Sequence, residues 1–310
     1  MNKNDKIYVA GHRGMVGSAI VRRLKKDGFK NIITRTHKEL ELVNQIDAQK
    51  FFATEKPDYV FVCAAKVGGI LANGEYPAEF IYNNLQVQSN IIHNAYMFGA
   101  KKLLFLGSSC IYPKFAKQPI KESELMSGYL ESSNDAYATA KIAGIKMCQS
   151  YNKQYDSNFI SLMPTNLYGE NDNYNLETSH VFPALLRKIH EAKINNSPNI
   201  VVWGSGKPMR EFLHVDDIAD ACMFLMENYN DGEIVNVGTG QDVTINELVS
   251  TMKKIIGYEG DIIYDSSKPD GTPRKLLDVS KINNLGWKHK ILLEDGIKLT
   301  YNSMLEELKK

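Results

Sequence analysis

Cysteine is scarce. The 310 residues hold four, Cys63, Cys110, Cys148 and Cys222, with no CxxC pair and no metal-ligand spacing. That excludes a disulfide-stapled scaffold and a cysteine-built zinc site, and a chain this long needs no disulfide to bury a core. Reduced thiols are expected. Net charge is as scarce: 37 Lys plus Arg stand against 36 Asp plus Glu, a formal +1, so no global field draws the protein to nucleic acid or to an acidic membrane surface. Any bound anion must be met locally. No apolar run reaches the length of a membrane span, and "MNKNDKIYVAG" passes from polar residues into a strand-like segment without the apolar core of a secretion signal. Neither nucleic acid nor membrane is an expected partner, and the expected location is the cytoplasm. Internal repeats, low-complexity tracts and long linkers are also missing.

What is present is an alternation. Short apolar runs rich in β-branched and aromatic residues, "KIYVAG" (6–11), "NIITRT" (31–36), "DYVFVCAA" (58–65), "KLLFLGSS" (102–109) and "NFISLMPTNLYG" (158–169), are separated by helix-like stretches such as 77–99 and 135–155. This order predicts an α/β fold, a doubly wound parallel sheet. After about residue 170 the order loosens through the turn-rich "IVVWGSGKPMREFLHVDD", followed by a helix, the strand "EIVNVGTG" (233–240) and a smaller α+β segment. With no linker in view, the second unit is expected to be interleaved with the first: residues 1–170 plus about 211–240 for one, 171–210 and 241–310 for the other.

Three features carry chemistry. "AGHRGMVGSAIVRRL" sets Gly11, Gly14 and Gly17 between a strand and a helix, where glycines let backbone N–H groups approach a pyrophosphate at a helix N-terminus. A tight strand-to-helix turn is the plain alternative. An NAD site usually ends its second strand in an acidic residue. Here that strand ends "TRTHKEL", and Arg35, His37 and Arg13 surround the place where a 2′-phosphate would lie, which favours NADP(H). Next, "SNDAYATAKIAGIKM" places Tyr137 and Lys141 four residues apart on one helical face, where a cation is expected to lower the phenol's pKa. Ser108, at the carboxyl end of a strand, falls where open α/β sheets bind ligands.

Glycine loop, serine and Tyr-x-x-x-Lys in this order resemble the extended short-chain dehydrogenase/reductases, whose Rossmann-type fold and nucleotide-sugar members fit the length. "GHRGMVGSAI", "AAKVGGI", "GSSCIYPK", "PTNLYG", "VVWGSGKPMREFLHVDD" and "KPDGTPRKLLD" narrow the resemblance to the GDP-L-fucose synthases within them, over nearly the whole chain. Members of that group epimerise C3 and C5 of GDP-4-keto-6-deoxy-D-mannose and reduce C4 with NADPH. The resemblance implies that Gly11, Arg13, Gly14, Met15, Val16, Gly17, Arg35, His37, Ala65, Leu106, Gly107, Lys141, Pro164, Asn166, Leu167 and His180 line the cofactor, and that Lys188, Trp203, Arg210 and Asp270 meet the GDP-sugar. It makes Ser108, Tyr137 and Lys141 catalytic, Ser108 and Tyr137 as donors to O4. Inversion at carbon needs a proton taken from one face and another delivered to the opposite face, which one tyrosine cannot do. Cys110 and His180 match the group's acid/base pair, Cys110 as base and His180 as acid. A homodimer through a four-helix interface, built from 77–99 and 135–155, is implied by the same likeness.

Rival readings stay open. A C4 reductase or epimerase of a related GDP-4-keto sugar, such as a heptose, shares these residues. A 4,6-dehydratase wants acid/base carboxylates beside the active-site Ser or Thr, whereas Ser108 is followed by Ser109 and Cys110. A non-catalytic dinucleotide-binding regulator would be expected to have lost the Tyr/Lys pair, and both residues are here. Cys63, Cys148 and Cys222 read as small core residues.

Overall fold

The apolar runs carry no polar alternation, so each must be covered on both faces. In the computed structural model, which describes residues 1–176, 178–268 and 270–309, the strands are β1 (Lys6–Ala10), β2 (Asn31–Ile33), β3 (Tyr59–Val62), β4 (Lys102–Leu106), β5 (Phe159–Pro164), β6 (Asn166–Tyr168), β7 (Asn199–Trp203), β8 (Met209–His214), β9 (Val235–Val237), β10 (Asp242–Thr244), β11 (Asp261–Asp265) and β12 (Arg274–Lys275). The helices are α1 (Met15–Lys26), α2 (Gln45–Glu55), α3 (Ile70–Glu75), α4 (Pro77–Met97), α5 (Asp135–Tyr155), α6 (Val181–Ile194), α7 (Val215–Asn228), α8 (Ile245–Ile256), α9 (Ser280–Asn284) and α10 (Leu293–Glu307). The main sheet runs β2-β1-β3-β4-β5-β9 with every pairing parallel. Strands β4 and β5 are buried along their whole length. Helix α1 packs against α7, and α2 and α5 both pack against α4, giving the sheet its cover.

A second apolar core gathers Tyr168, Phe182, Leu186, Leu248 and Ile297. Around it β8 pairs antiparallel with β10 and parallel with β6 and β12, β7 pairs with β11, and α6, α8 and α10 pack together. The segment 158–169, read from sequence as one strand, is two. The Thr165 N–H donates to Val237 O on the main sheet, but its hydroxyl and the Asn166 amide both donate to Glu211 O on β8, and the chain crosses between sheets there. Strands β6 and β8 belong to the second sheet, and Leu277, Val279, Ile282 and Trp287, assigned to the second unit, pack into the first core because α9 returns over β9.

Lys102 is buried at the start of β4. Its ammonium donates to Leu225 O, Met226 O, Tyr229 O and Asn230 Oδ1, at distances of 2.5 to 3.1 Å, and so caps the negative end of α7. Among the described residues no helix is long and apolar enough to cross a membrane.

Candidate active site

The chain order reverses between β1 and β3, and a parallel sheet opens a crevice beyond the carboxyl ends of its strands at such a point. The glycine turn lies there. Gly11 has φ +81°, and a Cβ on it would sit 2.7 Å from the Ala64 nitrogen at the end of β3. A Cβ on Gly17 would fall 2.2 Å from the Gly11 oxygen, so α1 lies against the turn as closely as bare backbone permits. No side chain caps α1, and no acidic residue occupies its first turn, which leaves its N-terminal amides for an anion. Ala65, Leu106, Gly107 and Pro164 ring the same edge from β3, β4 and β5, with Asn166 and Leu167 beyond on β6. Of the expected phosphate-binding cations, Arg13 is exposed and makes no ion pair among the described residues. Arg35 is held by Glu55 and donates to Thr34 O, while His37 lies 3.0 Å from Glu41 on the surface.

The chain leaves β4 through Gly107 into a short 3-10 turn, Ser109–Ile111. Ser108 opens that turn, its Oγ accepting from the Cys110 N–H at 3.2 Å. Behind it, the Tyr112 hydroxyl donates to Asn236 Oδ1 at 2.6 Å, and the buried Asn236 amide donates to Ile120 O and Asp278 O. This fixes the turn against β9. Tyr137 and Lys141 reach the same place from α5. Lys141 is buried, donates to Leu106 O at 2.8 Å and has its Nζ 5.8 Å from the Tyr137 ring centroid; burial lowers its pKa to about 8. The expected lowering of the phenol does not occur here. Burial, and then the charge of Cys110, push Tyr137 well above the ordinary phenol range against a hydrogen bond with Ser108, while the Lys141 ammonium is turned to a carbonyl. Tyr137 is thus held as a proton donor.

Cys110 behaves oppositely. Burial raises its pKa, but the Lys275 ammonium 3.5 Å away and hydrogen bonds with Ser108, Lys275 and Asn134 outweigh that and bring the thiol below its usual range. Burial pushes Cys63 and Cys148 up to about 12 and Cys222 higher still, so of the four thiols Cys110 alone is shifted toward the thiolate. His180 is the N-cap of α6 without a side-chain cap, on a loop held by the Gly69 N–H donating to Thr178 O at 3.1 Å. The residue is exposed, yet the protein around its ring desolvates it, and this and then the Lys275 charge lower its pKa.

Two further clusters stand on the second unit. Lys188 and Lys268 place their ammonium groups 5.3 and 5.4 Å from the half-exposed Trp203 ring, a flat face flanked by cations. Asp270 accepts from the Ser205 N–H and hydroxyl at 2.6 and 2.8 Å and lowers the cost of the charge on neighbouring Arg210. Arg210 is the register partner of Lys275 across β8 and β12, which joins this cluster to Cys110.

The sequence model of the NAD dependent epimerase/dehydratase family matches residues 7–238. The chain belongs to that family. Among individual relatives, GDP-L-fucose synthase 1 of Arabidopsis thaliana is 59% identical over 307 residues, covering 99% of this chain and 95% of that protein. A GDP-6-OMe-4-keto-L-xylo-heptose reductase from C. jejuni is 42% identical with a TM-score of 0.94, covering 99% of each chain. A GDP-L-fucose synthetase from Naegleria fowleri, solved bound to NADP, is 30% identical with a TM-score of 0.92, covering 100% of this chain and 97% of that one. Within this epimerase/dehydratase fold, sequence reasoning missed Lys275, Asn134 and Glu211. The fully buried Glu211 carboxylate accepts from the N–H groups of Thr239, Gly240 and Leu277. Lys275 lay in the quoted "KPDGTPRKLLD", but nothing local ties that stretch to Cys110, 165 residues earlier.

Proposed function

We propose that the protein is an NADPH-dependent epimerase/reductase that converts GDP-4-keto-6-deoxy-D-mannose to GDP-L-fucose. The observation that carries this reading is the meeting of two acid/base sets at the end of β4, Ser108–Tyr137–Lys141 and Cys110 with its cation. A simple reductase needs only the first. The likeness to the Arabidopsis synthase supports the choice of substrate.

The turn at Gly11, Gly14 and Gly17 fits a dinucleotide, since bare backbone at Gly11 and Gly17 lets β3 and α1 close tightly on the turn and leaves the uncapped amides of α1 for the pyrophosphate, and Arg13 and Arg35 would meet a 2′-phosphate. When bound, the nicotinamide supplies the hydride that reduces C4. The protons on C3 and C5 are acidic because they flank the C4 ketone, and losing one puts charge on O4. Ser108 and Tyr137 donate hydrogen bonds to that oxygen. The Cys110 thiolate takes the proton from one face and His180 returns one to the other, so its imidazole must hold a proton when carbon is reprotonated. Tyr137 then gives its phenolic proton to O4, with Lys141 beneath it. Lys188 and Arg210 meet the diphosphate, and Trp203 lies against the substrate as an apolar wall.

Exposed Tyr82, Met97 and Tyr155 on α4 and α5 support a homodimer through these helices, and four free thiols suit a cytoplasmic location. A second reading, C4 reduction of a GDP-4-keto-heptose, is favoured by the likeness to the C. jejuni reductase. Incubation of the protein with GDP-4-keto-6-deoxymannose and NADPH in deuterated water separates the two. Deuterium at both C3 and C5 of a GDP-L-fucose product, suppressed in Cys110→Ser, is expected. Reduction at C4 without exchange would sink the epimerase assignment.

A further inference from the structure

Lys275 reaches into the cleft and forms no ion pair with a carboxylate among the described residues; its ammonium lies 3.5 Å from Cys110 Sγ. A half-buried ammonium without a carboxylate calls for another anion. The backbone on either side of it is pinned. Arg274 makes a bidentate pair with Asp242, the Leu276 N–H donates to Gln118 Oε1 at 2.8 Å, and the Leu277 N–H donates to Glu211 Oε2 at 3.0 Å. The Ile120 N–H donates to Leu276 O, binding this stretch to the segment that follows Cys110. So rigid a mounting, far from any surface role, aims one cation at one sulfur.

We propose that Lys275 is the counter-ion of the Cys110 thiolate, a positioning residue that acts on the epimerisation half of the reaction through Cys110 and, at longer range, through His180. The inference rests on reading Cys110 as the base. Around the sulfur stand Ser108 from the turn after β4, Asn134 at the N-cap of α5, Tyr137 from α5 and Lys275 from β12, with His180 at the N-cap of α6 also within the field of Lys275. No carboxylate is among them, and Lys275 is the nearest cation. Its charge favours thiolate at Cys110 and neutral imidazole at His180, so its removal moves both titrations to higher pH.

The test measures the rate of Cys110 alkylation by iodoacetamide between pH 5.5 and 9.5, by mass spectrometry of the Cys110 peptide, in the full chain and in Lys275→Met and Lys275→Arg. Thermal melts confirm that each variant is folded. In Lys275→Met the midpoint is expected to rise by about one unit or more, which slows alkylation at pH 7 roughly tenfold, while Lys275→Arg stays near the parent. In parallel, the bell-shaped pH profile of C3 and C5 deuterium exchange should move bodily to higher pH in Lys275→Met. An unchanged alkylation midpoint with a raised KM would overturn the proposal and leave Lys275 as a phosphate-binding cation. If instead the midpoint moves but Cys110→Ser still exchanges both carbons, the counter-ion stands and the reading of Cys110 as base falls.

Discussion

Replacing Gly17 by alanine tests whether the β1–α1 turn is built around bare backbone. The new Cβ would lie 2.2 Å from the Gly11 oxygen, 2.7 Å from the Gly11 carbonyl carbon and 2.9 Å from the His12 Cα. All three are main-chain atoms and none can rotate away. Restoring ordinary contact moves α1 back by about 1 Å. That helix buries Val16, Ala19, Ile20 and Leu24, so the shift disturbs packing and costs about 1–3 kcal/mol, a fall in Tm of roughly 2–5 °C for a chain of this length. It also withdraws the helix amides from the phosphate. Losing one charge-assisted hydrogen bond, about 1.5–3 kcal/mol, raises the Kd for NADPH about 10- to 100-fold. Gly14 is the internal control: a Cβ there meets only the Gly11 oxygen at 3.5 Å, and the residue faces out. Gly14→Ala should therefore weaken NADPH binding while the ligand-free melt stays put. Fluorescence titration and differential scanning calorimetry read the two quantities separately. A Gly17→Ala variant that melts and binds like the parent would refute the close-approach argument.

Lys102→Met takes the charged donor from Met226 O and Tyr229 O, while Leu225 O keeps the Tyr229 N–H and Asn230 Oδ1 keeps the Asn158 amide; a loss of about 3 kcal/mol is expected in thermal or denaturant unfolding, with kcat unchanged because the residue lies at the opposite end of β4 from Ser108. An unaltered Tm would show that the cage contributes nothing. Tyr137→Phe removes the phenolic proton, so C4 reduction should fall about 10²- to 10⁴-fold, and more than deuterium exchange at C3 and C5, when both are followed on the same sample by NMR. Equal losses would mean that Tyr137 serves O4 in both halves alike.

Much of this architecture was legible because its signals are local. The runs ending at Gly11, Ala65 and Ser109 each end on or beside a strand of the main sheet, and Tyr137 and Lys141 share a helix face because four residues is about one turn. The crossing at Thr165 was not legible. Residues 158–169 are interrupted only by Pro164, and what turns the chain there to the other sheet is Glu211 O, offered from 45 residues downstream. The acidity of Tyr137 was misjudged for a related reason: sequence spacing sets which groups share a face, whereas burial and the direction of the ammonium are tertiary facts. Lys275 escaped notice because its partner is 165 residues away and a lysine beside an arginine in a polar stretch resembles any solvated surface.

The crossing at Thr165 also bears on how such a protein can be altered. The main sheet takes its last strand, β9, from beyond β8, and its core is completed by Leu277 to Trp287, after the chain has twice served the second unit. A fragment ending near residue 170 would expose the flank of β5 and forfeit α7, so neither half can be cut out and grafted onto another enzyme as a cassette. A change of sugar preference in this scaffold has to come by substitution in place, with both units inherited together.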